Sequence, residues 1–189
     1  MAQGVGTRPR GAGRAQLHET ALRLFARDGV EGTSLQSIAD DMGVTKAAVY
    51  YHYRSKDDLV LGVLAPLFEE LDAVITRAEA HRGRQARLDE LLTGMITLIV
   101  DNHSRFAVFA GDPYVGRLVL AHHDLIQWFH RIVAAVGAES DLPARTALLI
   151  FLGGMSAPLK DPEMARLRPA DQRDLLMECG RRLLQVRRR

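Results

Sequence analysis

Residues 32–53 read GTSLQSIADDMGVTKAAVYYHY, and the fold turns on this stretch. Thr33 and Gln36 have the Thr-x-x-Gln spacing of a capping box, and Leu35, Ile38, Ala39 and Met42 follow on one helical stripe that stops at Gly43. Gly43 can take the left-handed conformation that reverses a chain within a few residues. Thr45 is then placed to cap a second short helix that runs from Lys46 to Tyr53. Ala39 is small enough for two helices to cross closely, and Val44 and Val49 can plug the little core between them. Two short helices joined by a tight glycine turn are a helix-turn-helix candidate.

The second of these helices has an unusual surface. Lys46, Ala47, Ala48, Tyr50, Tyr51 and His52 are left to face outward or rim it. A lysine in the first turn can donate to base edges or phosphate, and alanines can approach thymine methyls without steric hindrance. The aromatic hydroxyls and the imidazole can hydrogen-bond phosphate oxygens, as can Lys56 at the start of the next helix. The alternative is that Tyr50 to Tyr53 form a small aromatic core of their own.

Working outward, Leu17, Ala21, Leu24 and Phe25 recur at i, i+4, i+7 and i+8, giving a first helix that ends at Gly29. The glycine- and arginine-rich segment 1–13 has little to bury and reads as a disordered arm. Arg8, Arg10 and Arg14 make it either a DNA clamp or a solvated tail. Ser55 followed by Asp58 announces a fourth helix with Leu59, Val63, Leu67 and Leu71 on one side and a kink expected at Pro66. Four longer helices are expected over 85–102, 113–136, 143–157 and 170–186, with a proline-bounded loop over 158–169. The chain therefore reads as all-α, with an arm (1–13), a helix-turn-helix domain (14–54) and a larger helical domain (55–189).

Composition limits the function classes. With 47% hydrophobic and 25% charged residues, the 189-residue chain is an ordinary globular protein rather than a disordered one. A formal net charge of +2 means that any affinity for DNA must come from where the charges sit. No apolar leader core follows the start, the lone Cys179 excludes an internal disulfide, and the uncharged run from Thr146 to Leu159 falls short of the roughly 20 residues of a membrane span. A cytoplasmic protein with no membrane partner is expected. No nucleophile stands with a spaced base, and neither metal-ligand spacing nor a phosphate loop is present, so neither an enzyme nor a cofactor or metal is expected.

The segment from Leu17 to Leu59 resembles the amino-terminal domain of the TetR family of bacterial regulators. The resemblance lies in ALRLFARDG at 21–29, GTSLQSIADDMGVT at 32–45 and VYYHYRSKDDL at 49–59. It implies a three-helix DNA-binding domain, a larger helical domain that binds an effector and dimerises, and repression relieved by a small molecule. Position by position, Thr33 and Gln36 would touch phosphate, Thr45, Lys46, Ala47, Ala48 and His52 would face bases, and Tyr50, Tyr51 and Lys56 would hold the backbone of a double-stranded operator. Many members have Gly, Pro, Ser or Thr where this chain has Ala47 and Ala48, so readout here leans on Lys46, His52 and DNA shape.

In the segment where such proteins build the effector pocket lie Met95, Phe106, Phe109, Tyr114, His123, Trp128 and Phe129. Their apolar and aromatic balance suggests a hydrophobic or amphipathic effector. The last two long helices, with Leu148, Phe151, Leu152, Met155, Leu176 and Leu183, are the expected homodimer interface, built as a four-helix contact; burial within one subunit is the alternative.

Overall fold

The computed structural model describes residues 10–109, 112–121 and 124–185. Among them there are only helices and turns, as the periodicity predicts. Helices α1 (Arg10–Gly32), α2 (Leu35–Met42) and α3 (Lys46–His52) form the amino-terminal domain. Helix α4 (Lys56–Ala80) leads to α5 (Arg84–Asp101), α6 (His103–Phe109), α7 (Pro113–Leu120), α8 (Asp124–Ala135) and α9 (Leu142–Gly154). A short 3-10 turn (Ala157–Lys160) and α10 (Pro162–Ala165) precede α11 (Pro169–Leu184).

Helix α1 begins at Arg10, inside the segment read as an arm; residues 1–9, with Arg8, lie outside the described residues. Gly29 interrupts it with φ 75° and ψ 160°, where the apolar pattern stops. Helix α4 runs on through Pro66 as one element, because flanking burial from both ends holds it. The expected helix 113–136 is two helices, and the loop 158–169 winds into the 3-10 turn and α10, where Asp161 caps the start by accepting from the amides of Glu163 (2.8 Å) and Met164 (3.3 Å).

Two hydrophobic cores share α4. Its amino-terminal half inserts Leu59, Val60, Val63 and Leu67 among Leu17, Leu24, Ile38 and Val49 of the first three helices. Its carboxy-terminal half inserts Val74, Ile75 and Ala78 among Leu88, Leu92, Ile96 and Val133 of α5 and α8. Each fully buried Leu or Ile stabilises by about 1.5–3 kcal/mol, so neither core forms without its half of α4. Helices α4 and α5 cross closely at Gly94, where an added Cβ would lie 2.6 Å from Val74 Cγ1.

The span Leu142–Lys160, with mean hydropathy 1.3, is long and apolar enough by composition to cross a membrane, more than the uncharged run alone suggests. Its helix nevertheless ends at Gly154, and Leu148 and Phe151 pack into the second core.

Gly94→Ala is expected to lower stability by about 1–3 kcal/mol in urea unfolding, because Val74 is held from both sides. Gly116→Ala, where a Cβ meets nothing within 4 Å, is expected to raise stability by about 0.5–1 kcal/mol through helix propensity.

Candidate nucleic-acid interface and the cavity behind it

The turn between α2 and α3 is built as the sequence suggests, with one shift of register. Ser34, not Thr33, caps α2: its Oγ accepts from the Ser37 amide at 3.0 Å, and Ser37 Oγ accepts from the Ser34 amide at 3.0 Å. Thr33 is turned inward, 2% exposed, and donates to the Gly29 carbonyl at 2.8 Å, so its hydroxyl is withdrawn from any phosphate. Gly43 closes α2 at φ 64°, ψ 31°, and the Val44 amide returns to the Ala39 carbonyl at 3.0 Å. Thr45 Oγ1 accepts from the Ala48 amide at 3.3 Å. Val49 fills the small core against Ile38 and Ala39, whereas Val44 is 38% exposed and plugs nothing.

This arrangement presents Thr45, Lys46, Ala47, Ala48, Tyr50 and Tyr51 to solvent on and beside one short helix. Tyr51 is 76% exposed and lies edge-on to the half-buried His52, with ring centres 5.4 Å apart. The Lys46 ammonium sits 5.5 Å from the Tyr50 ring centre, an i, i+4 cation–π contact that restricts its swing. Gln36 is exposed on α2 and donates to Asp40 Oδ1 at 2.7 Å. The aromatic run is thus not a separate core: only Tyr53 turns in.

Tyr53, which the sequence places only in the alternative aromatic core, anchors the module. Its hydroxyl lies 2.8 Å from Arg14 Nε and 2.6 Å from His18 Nε2. Arginine Nε can only donate, so the hydroxyl accepts from Arg14, while the direction of its bond with His18 Nε2 follows the tautomer of the imidazole. Burial, then Arg14, Arg105 and His52, push the His18 pKa below its ordinary 6.5. Gly62 makes room for the ring, since a Cβ there would lie 2.4 Å from the Tyr53 hydroxyl.

Lys56 is not free to reach a phosphate. Its ammonium donates to the carbonyls of Val30 and Glu31, both at 3.0 Å, and lies 4.8 Å from the Tyr114 ring centre. Tyr114, expected in the pocket, instead donates to Asp57, and this bond raises its phenol pKa to about 12. Asp112 caps α7 through the amides of Tyr114 (2.8 Å) and Val115 (3.3 Å) and accepts from the Val30 amide at 3.4 Å. The ends of α1, α4 and α7 are therefore tied in one polar knot.

Behind the knot is an apolar cavity of two adjoining lobes, about 290 and 300 Å³. Met95, Phe106, Trp128 and Phe129 line one lobe, as expected, with Leu71, Leu152 and Met155. Phe68, Val115, Gly116 and Val119 line the other. Ser156 and Leu71 are not among the expected lining residues: the first falls in the helix 143–157 read as part of the dimer contact, and the second reads only as one position of the apolar stripe of the fourth helix. His123 and the Phe109 side chain lie outside the described residues. Trp128 Nε1 donates to Asp72 on α4 at 3.0 Å, and Arg131 binds Glu79 at 2.7 and 2.9 Å, so α8 is stitched to α4. Among the described residues no His, Cys, Asp and Glu group could hold a metal.

The profile of the bacterial regulatory proteins of the tetR family matches residues 17–63, the segment just described. Residues 17–63 therefore carry the DNA-binding module of the tetR family. The chain is 25% identical over 172 residues to the HTH-type transcriptional regulator SrpR of Pseudomonas putida, covering 88% of this chain and 81% of that one. Against the HTH-type transcriptional regulator TtgR of the same species the identity is 40%, over 36% of this chain and 32% of that one. The crystal structure of the TetR family regulator PfmR of Thermus thermophilus has a TM-score of 0.67 at 20% identity, covering 93% of this chain and 97% of that one, which shows the shared fold. With an intact helix-turn-helix inside the matched segment, the chain is a DNA-binding transcriptional regulator.

Because the folded His18 resists protonation while the unfolded one does not, stability is present above the ordinary pKa and declines as the pH falls through it. Unfolding measured between about pH 7.5 and 5.5 is expected to show this loss, and His18→Gln, which keeps an acceptor for Tyr53 but does not titrate, to flatten it.

Proposed function

We propose that the protein is a homodimeric repressor that binds a pseudo-palindromic operator through α3 and releases it when a small molecule fills the two-lobed cavity. The observation that carries this reading is the exposed, capped α3, whose outward surface is one cation, two alanines and two tyrosines over a core that needs none of them. Lys46, Ala47, Ala48 and His52 face base edges; Thr45, Tyr50, Tyr51, Ser34 and Gln36 hold phosphates. Thr33 and Lys56 act from within, one on α1 and the other on the polar knot. A protein that regulates genes acts in the cytoplasm, where bacterial DNA is.

Of the residues expected at the dimer contact, Leu183 is exposed on the outer face. Leu148, Phe151 and Leu176 are buried in their own subunit, and Leu152 and Met155 line the cavity. The residues turned outward are Leu142 (72% exposed), Leu149 (49%), Ile150 (58%), Leu175 (46%) and Leu183 (37%). Apolar side chains on the outer faces of two neighbouring helices support a two-fold contact between α9 and α11 of two copies. Two α3 helices then enter successive major grooves about 34–36 Å apart.

Effector release requires only that the ligand favour a state with a different spacing. The cavity is walled by α4, α7 and α8, and the same α4 and α7 end in the knot beside α3, so pressure on the walls reaches the reading heads. A preference of about 1.4 kcal/mol changes operator affinity tenfold.

A site selected from random duplexes is expected to bind Lys46→Ala about 10- to 100-fold more weakly in gel shifts, with less discrimination between sites. No preference for any duplex over scrambled competitor, at low salt, would sink the assignment. Ile150→Glu is expected to sediment as a monomer at micromolar concentration and to lose operator binding while keeping its helicity; an unchanged dimer would refute the interface.

A further inference from the structure

The lining of the cavity restricts what can occupy it. Across both lobes the described side chains include no ionisable group, and Ser156 supplies the only hydroxyl. Trp128 contributes a ring face, because its one polar atom is spent outward on Asp72. The nearby charges, Asp72, Glu79 and Arg131, satisfy one another. A carboxylate or ammonium against this lining would shed part of its water and find no counter-charge among the described side chains, which disfavours it against an uncharged group.

The shape adds a second restriction. The two lobes share Leu71, Leu98, Phe106 and Ser156, so they adjoin beside these four residues. A molecule reaching into both must be extended, and it passes Ser156 part-way along its length. We propose that the ligand of this cavity is an uncharged, elongated, mainly apolar molecule with a hydrogen-bonding group near its middle, received by Ser156. This assignment rests on the reading of the cavity as the effector site only for its regulatory meaning; the ligand class stands on the lining alone.

Trp128 is the sole tryptophan and lies in the wall, so its fluorescence reports occupancy in the full chain. The probes are 5-decanol, 1-decanol, decanoate and decylammonium, below their micelle concentrations at about pH 7.5, where the last two are ionised. The expected order is 5-decanol tightest, with both ions bound at least about tenfold more weakly. Ser156→Ala removes the preference for 5-decanol over 1-decanol. Gly116→Leu, at a lining position where an added Cβ meets nothing within 4 Å, weakens both alcohols without lowering the melting temperature. Decanoate or decylammonium binding as tightly as the alcohols overturns the proposal, as does no alcohol binding up to saturation, or an intact preference in Ser156→Ala. Alcohol binding that leaves operator affinity unchanged leaves the ligand class standing and refutes the effector reading instead.

Discussion

Val63 and Ile75 are both fully buried on α4, yet they belong to different cores. The DNA-binding end cannot close without Leu59, Val60 and Val63, and the larger domain cannot close without Val74, Ile75 and Ala78. One rigid rod is thus a structural member of two domains, and neither domain can shift along it without losing burial worth several kcal/mol. This is why Pro66 is tolerated in its middle. The hydrogen bond that proline forfeits is small beside the packing at both ends.

Around that rod the polar contacts set orientation more than stability. The Lys56 ammonium occupies the carbonyl end of α1, where a cation suits both the free carbonyls and the helix dipole. Its neighbour Asp57 holds Tyr114, and Asp112 holds the start of α7. Surface pairs such as Arg131 with Glu79 contribute little singly, but the set of Arg131, Asp72, Thr76 and Trp128 fixes how α8 lies on α4. The cavity wall, α4 and the end of α1 are therefore coupled through short, directional bonds.

Much of this was legible in the sequence. The turn chemistry of Gly43 and Thr45 is local, so its meaning travels with the residues, and the apolar stripe of α1 needs no partner to be recognised. The capping box slipped by one residue because Thr33-x-x-Gln36 and Ser34-x-x-Ser37 overlap, and only the inward turn of Thr33 decides between them. Lys56 and Tyr114 were misplaced for a different reason. Their partners lie 26 and 57 residues away in the chain, and no spacing rule reports such a meeting. On α9 the apolar residues cover more than one face, so sequence could not say that Leu148 looks in while Leu149 and Ile150 look out. The break between α7 and α8 was missed because no glycine or proline marks it.

Ala47 and Ala48 stand exposed on α3, and neither belongs to a core. The cap at Thr45 uses only the backbone of Ala48, and the packing of α3 relies on Val49. Longer side chains at these two positions would thus displace nothing, while with α3 docked as proposed each would bring new atoms to the floor of a DNA groove. Binding preference is the property of this chain most open to drift or redesign: its vocabulary can be enlarged by simple addition, one residue at a time, on a scaffold that need not notice.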